Sequence, residues 1–243
     1  EGFVLEYLLI LVSIIMIYQF MILYIQRNIL RDYMLEEEQK INQELEKAVT
    51  ERTKELRELA YRDLVTKLYN RKYLVEHLQN FQNQCKEDQR IVLYYIDINR
   101  YKMLKATYGN LISEQLLFQT AQKLDLRMKE KDMESALLAM YGEDVFIIAR
   151  MGVYSETETE QFAEEILNLI TVRYQIENYE IMVSANVGIA FYPDDSGTVE
   201  QLISHGSIAM NRARTEGYNK YQFFDHTVSA SVLMKNRVEL LLK

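Results

Sequence analysis

The 243-residue chain is 49% hydrophobic and 26% charged, which fits one globular domain plus an elongated part and excludes intrinsic disorder. Its net charge of -8, from 28 basic and 36 acidic residues, argues against a surface that follows a nucleic-acid backbone, so no nucleic-acid partner is expected. A single cysteine, Cys85, excludes an intrachain disulfide, and His77, His205 and His226 lack ligand spacing, so a cytosolic part without structural zinc is expected.

The first element is apolar. From Phe3 to Ile25 only Glu6, Ser13 and Gln19 interrupt the run, and at about 1.5 Å per residue it can cross a hydrocarbon core of about 30 Å. This predicts a transmembrane helix over 1–26. A signal peptide would show a basic start, a shorter core and a small-residue cleavage site. Arg27 and Arg31 follow the run while Glu1 precedes it and Glu6 lies near its start, so the positive-inside rule places the rest in the cytoplasm, with one pass through the inner, cytoplasmic membrane. A chain that opens on Glu1 rather than Met is expected to be a fragment, with membrane helices or a sensor domain upstream.

Residues 27–60 form a polar helix with a seam. Met34, Glu38, Ile41, Leu45, Val49, Arg52, Leu56 and Leu59 are spaced in threes and fours, heptad-like with one stutter. The pattern predicts a parallel coiled coil and hence a homodimer; the plainer alternative is a solvated single helix.

From residue 61 strands and helices interleave. "NRKYLVEHLQNFQNQCKE" reads as a helix, "RIVLYYIDI" as a buried strand and "NLISEQLLFQTAQKLDLRMKE" as a second helix. "SALLAMY" and "VFIIAR" form a hairpin, with Gly142 expected to supply the freedom its turn needs. "SETETEQFAEEILNLITVRY" reads as helix, "YEIMVSANVGIAFYP" as one long strand, "TVEQLISHGSIAMNRARTEG" as helix and "KYQFF" as the last strand. The order predicts an α+β sandwich of the ferredoxin type, a largely antiparallel sheet covered by helices, over 61–226. Residues 227–243 continue an amphipathic helix, either packing back on the domain or leading into a further one.

Glu143 and Asp144 stand at the hairpin tip, where an acid pair is usually only solvated charge. In a ferredoxin-type sheet, however, Asp97 at the end of "YYIDI" approaches Asp144. Two carboxylates from adjacent strands can hold Mg²⁺, which in turn holds a nucleoside triphosphate. Lys102 and Arg214 are candidate counter-charges for its phosphate oxygens.

The blocks "RDLVTKLYNRKYL", "YYIDINRYKMLKATYGN", "YGEDVF", "VSANVGIAFYPDD" and "SIAMNRARTEGYNKYQFFD" resemble, in order, the signature blocks of the GGDEF domain. The resemblance covers residues 61–226 and implies a cyclase-like palm that joins two GTP molecules into cyclic di-GMP across a two-fold dimer, with Mg²⁺ and GTP as ligands. Asp97 and Asp144 stand where the family places metal-binding acids, and Lys102 and Arg214 where it contacts phosphates. A further phosphate-contacting arginine of the family falls at Tyr218.

The signature itself departs. Glu143 stands where the family has its second glycine, bringing bulk and negative charge toward a triphosphate, and Val145 replaces the second acid. The guanine-reading positions fall at Lys105 and Glu114, beside Ala106. Lysine offers only donors where an asparagine would offer both a donor and an acceptor. The product-inhibition motif falls at Met133 and Ala136, neither of which is charged.

The resemblance therefore implies a membrane-anchored, catalytically degenerate GGDEF domain serving cyclic di-GMP-type signalling, with Mg²⁺-nucleotide binding retained. The rivals are a weak diguanylate cyclase, an adaptor whose site is kept only for packing, and the regulatory half of a GGDEF–EAL phosphodiesterase. On that last reading the terminal helix leads into an EAL domain, or else docks on a separate membrane enzyme.

Overall fold

The computed structural model describes residues 2–130 and 136–226. Met133 and the segment 227–243, for which a terminal helix was expected, lie outside the described residues. The chain divides into two compact units, 1–57 and 58–243.

The first helix, α1 (Gly2–Tyr61), runs for 60 residues without a glycine or proline beyond its first residue. It is long and apolar enough to cross a membrane, with a mean hydropathy of 1.7 in its apolar window. Its side chains from Ile10 to Ile25 are exposed, as are the seam residues Ile41, Leu45, Val49, Leu56 and Leu59.

The second unit is an α+β sandwich, as the order of elements predicts. Its helices are α2 (Arg71–Gln84), α3 (Tyr101–Glu130), α4 (Glu156–Ile170) and α5 (Val199–Glu216), and its strands β1 (Arg90–Ile98), β2 (Ala136–Met140), β3 (Val145–Gly152), β4 (Arg173–Ile176), β5 (Tyr179–Met182), β6 (Ala185–Tyr192) and β7 (Tyr221–Phe223). Five strands form one sheet in the order β2-β3-β1-β6-β7, antiparallel except for the β6–β7 pair, and β4–β5 form a separate ribbon.

Period-two alternation in β1 explains why the sheet is covered on both sides. Val92, Tyr94 and Ile96 join a core with Leu116, Leu124, Phe162 and Ile166 of α3 and α4, while Ile91, Leu93 and Tyr95 join one with Leu74, Leu78, Leu202 and Met210 of α2 and α5. At one place α5 lies almost on the sheet. A Cβ on Gly188 of β6 would stand 2.0 Å from the Gly206 carbonyl oxygen of α5, so only glycine fits. Local signals set the helix starts. Asn70 and Thr198 cap α2 and α5, and Ser155 with Glu158 forms a capping box on α4.

Three sequence expectations are corrected. The helix expected to run through "LITVRY" stops at Ile170, and Arg173–Ile176 is a strand, because Tyr174 and Ile176 alternate inward to the core and the Tyr174 hydroxyl lies 3.2 Å from Thr120 Oγ1 on α3. The single long strand is two. Between β5 and β6 the Ser184 carbonyl accepts from Asn99 N at 2.9 Å, so the chain bonds there to the loop after β1 instead of prolonging the ribbon. Gly142 does not adopt a left-handed backbone, and a Cβ there would meet only Val145 at 3.6 Å. The hairpin turn therefore does not need its glycine. Among the described glycines, positive φ falls instead on Gly109, at φ 83, where the backbone of α3 departs from helical geometry, and on Gly217, at φ 130, after α5.

Candidate functional site

The hairpin tip is fastened to the end of β1. Asp97 pairs in register with Val145 of β3 and Asn186 of β6, and Ile98 N donates to the Asp144 carbonyl at 3.0 Å. A cavity of about 630 Å³ opens here, lined by Asp97, Asp144, Lys102 and Arg214 together with Asn99, Arg100, Tyr101 and Tyr218. Both acids and both counter-charges expected from the sequence thus share one cavity.

Asp97 is buried, and its Oδ1 is met by Arg214 Nη2 at 2.5 Å. Burial pushes its carboxyl above the ordinary range, and the hydrogen bond and charge of Arg214 pull it part of the way back. Asp144 is also raised by burial, with a backbone hydrogen bond opposing. The charge of Asp144 further raises Asp97, with Lys102 acting against it.

A buried amide network shapes the wall behind them. Asn99 Nδ2 donates to Asn186 Oδ1 at 2.5 Å, and Asn186 Nδ2 donates to the Gly217 carbonyl at 2.8 Å. The fully buried Asn186 thereby ties the end of β1 to the loop after α5, which carries Tyr218. Arg100 adopts a left-handed backbone at φ 58 and places its guanidinium 5.0 Å from the Tyr218 ring centroid.

The other two expected nucleotide contacts lie outside the cavity lining. Lys105, one turn further along α3, makes an ion pair with Glu143 at the hairpin tip, and this contact raises the lysine pKa and lowers that of the glutamate. Glu114 is exposed on α3 and acts on Lys105 only through its charge. Glu143 therefore does not present a bare charge to the cavity, as the sequence suggested; its charge is met by Lys105. Val145 is buried in the α2–α5 core with Leu137 and Ile147 and does not line the cavity. Sequence reasoning did not single out Asn99 or Arg100. The signal available was the run Asp-Ile-Asn-Arg at a strand end, a carboxylate, an amide and a cation packed into four residues.

Among the described residues no group of three or more His, Cys, Asp or Glu side chains could hold a metal alone. The donor set nevertheless suits Mg²⁺. That ion binds through one or two carboxylates and completes its shell with water and phosphate oxygens, and Asp97 and Asp144 supply the two carboxylates beside three cations, Arg100, Lys102 and Arg214.

A strand-end carboxylate, a second acid on the neighbouring hairpin and flanking cations thus face one cavity. The family description "Diguanylate cyclase, GGDEF domain" matches residues 60–220, and the chain belongs to this family. It is 30% identical over 179 residues to the bifunctional diguanylate cyclase/cyclic di-GMP phosphodiesterase MucR of Pseudomonas aeruginosa, covering 73% of this chain and 25% of that protein. It is 28% identical over 169 residues to the cyclic di-GMP phosphodiesterase PdeR of Escherichia coli, covering 70% of this chain and 25% of the relative. The chain thus spans about a quarter of the length of these relatives. Among solved structures, the coiled coil and GGDEF domain of DgcB from Caulobacter crescentus, in complex with c-di-GMP, superposes with a TM-score of 0.68 at 19% identity, covering 78% of this chain and 98% of that one.

Proposed function

We propose that the chain is a membrane-anchored GGDEF module of cyclic di-GMP signalling that binds a Mg²⁺-nucleotide without cyclising it and dimerises through residues 27–60. The observation that carries this reading is the division of the site. The phosphate side keeps two carboxylates and three cations around one cavity, whereas the second signature acid is Val145, packed in the core, and Lys105 is bound to Glu143. When bound, Mg²⁺ would be held by Asp97 and Asp144 and would neutralise phosphate charge. Arg214 would leave Asp97 for a phosphate oxygen, and Lys102 and Arg100 would meet the remaining anionic oxygens. A ligand bound in one state only shifts the balance between arrangements of a dimer, which is regulation without turnover.

Incubating the full chain in detergent with GTP and Mg²⁺ tests this. Binding without cyclic di-GMP is expected, and binding should be lost in Asp97→Ala. Steady cyclic di-GMP production abolished by Asp97→Ala would make the chain a weak diguanylate cyclase instead. The dimer is tested by single cysteines in membranes: cross-linking at Ile41, Leu45 and Leu56 should exceed that at Lys47 and Lys54, and a flat profile would overturn it.

The names of the relatives favour a second reading. PdeR is named a phosphodiesterase and MucR a bifunctional enzyme, and this chain spans about a quarter of each. The module would then be the regulatory half of a GGDEF–EAL phosphodiesterase. A gene that continues past Lys243 into an EAL domain, with phosphodiesterase activity that responds to nucleotide only when Asp97 is intact, is the expected result.

A further inference from the structure

We propose that residues 227–243 of this chain dock in the groove between α4 and β7 and cover the open edge of the sheet. The proposal is independent of the nucleotide reading above.

The two edges of the five-stranded sheet differ. At the β2 edge Met140 N donates to the Tyr69 carbonyl at 2.7 Å. At the other edge no described strand lies outside β7. The Lys220 carbonyl and Phe224 N bond to Val187 and Ile189 of β6 at 3.0 and 2.7 Å, and backbone groups alternate in direction along a strand, so those of Tyr221 and Phe223 point outward. Such an edge invites pairing, and folded proteins cover it with a helix or a loop.

Beside it lies a cavity of about 630 Å³, lined by Glu160, Glu164, Leu167 and Asn168 of α4 and by Tyr221 and Phe223. Its floor is apolar, since Tyr221 and Phe223 are half-buried where they pack against the core. Its α4 wall is acidic. Glu160 and Glu164, four residues apart, share one helix face; after burial, their charges raise the pKa of the Tyr221 hydroxyl, so both carboxylates stand near its ring. Glu216 adds a third acid, which accepts from Gln222 at 2.7 Å, against the cation Lys220.

The occupant that fits is both apolar and basic. Residues 227–243 follow β7 and His226 directly, and carry Lys235, Arg237 and Lys243 against Glu239 alone, among Val228, Val232, Leu233, Leu240 and Leu241. Tethering decides between this segment and a free partner. The edge strand is three residues long, and exposed ion pairs add little affinity, so a diffusing peptide gains little here. A segment joined to β7 is held at an effective concentration on the order of millimolar and can use so small a groove.

Cross-linking the full chain in detergent tests the proposal. With Cys85→Ser as background, since Cys85 is the single cysteine, cysteines at Val232, Met234 or Asn236 are combined one at a time with a cysteine at Asn168 in the groove or at Asn211, exposed on α5 over the opposite face of the sheet. Oxidation should give an intramolecular cross-link to Asn168 and little to Asn211. Glu160→Lys with Glu164→Lys should cut the yield about fivefold, the worth of two exposed ion pairs, and adding Lys235→Glu with Arg237→Glu should restore it. Equal yields at Asn168 and Asn211, or a yield indifferent to both charge reversals, would overturn the proposal. A product of dimer mass would overturn it too, giving the groove to a second copy.

Discussion

Arg214, in the last turn of α5, closes on Asp97, near the end of β1, with Nη2 2.5 Å from Oδ1. The acid is buried and the arginine half-exposed. Removing the arginine leaves a buried carboxylate without its partner. A fully buried broken pair costs about 3–5 kcal/mol, and exposure of the arginine lowers this through solvent screening. Arg214→Ala should therefore destabilise the unliganded protein by about 1–2 kcal/mol in urea denaturation. Mg²⁺ should narrow the gap, since the ion supplies the charge that the arginine no longer does.

Asp144 is held at a cost to the fold. Its carboxyl is raised above the ordinary value of 3.8, chiefly by burial. In the window above 3.8 the folded state therefore holds more protons than the unfolded one, and stability falls as pH rises until the folded pKa is passed. Asp144→Asn removes that loss. At pH 7 the unliganded variant should melt at a higher temperature than the wild type, and below pH 3.8 the two should converge. With Mg²⁺ and a triphosphate present the order should reverse, because only the wild type gains from the ligand.

His205 works in the opposite direction. Its ring stacks on Phe224 at 3.9 Å and its Nδ1 meets Ser196 Oγ at 2.9 Å. Burial, followed by repulsion from His226, pushes its pKa below 6.5, against the pull of Asp195. The unfolded chain then takes up the proton first, so stability present above 6.5 is lost as pH falls through the window down to the folded pKa. His205→Phe keeps a ring against Phe224 and should flatten the fall in urea midpoint as pH drops below 6.5. An unchanged slope would show that other groups set it.

Two glycines should respond oppositely to alanine. Gly188→Ala drives a methyl group into the α5 backbone, where neither partner can move alone, and should cost about 3 kcal/mol or more or leave the protein insoluble. Gly142→Ala meets only ordinary contact with Val145 and should stay within about 0.5 kcal/mol of the wild type. Urea midpoints of the two variants provide the comparison.

Much of the architecture was legible because β1 and the hairpin strands β2 and β3 are short apolar runs bounded by polar turns, and because Ser155 and Glu158 announce the start of α4. The strand after α4 was not. "LITVRY" continues an apolar pattern that suits a helix as well as a strand, and only the packing of Tyr174 against α3 decides between them. For the site, Asp97, Asp144, Lys102 and Arg214 could be placed together by asking which strand ends and helix ends meet. The pairing of Lys105 with Glu143, across 38 residues, could not, since nothing local to either residue announces it. Val145 shows the same limit, because its side chain turns to the core by the pleat of β3 while its sequence neighbour Asp144 faces the cavity.

Asn186 makes the site unequal in how much change it can absorb. One buried amide spans two chain segments, accepting from Asn99 and donating to Gly217. Substitution there would unseat the loop of Tyr218 and the end of β1 together, whereas Gly142 at the hairpin tip sits on a turn whose shape does not depend on it. Random change in the gene is thus filtered unevenly. Gly142 can change freely while the pocket wall is held, so the outline of such a pocket tolerates less change than the turn beside it.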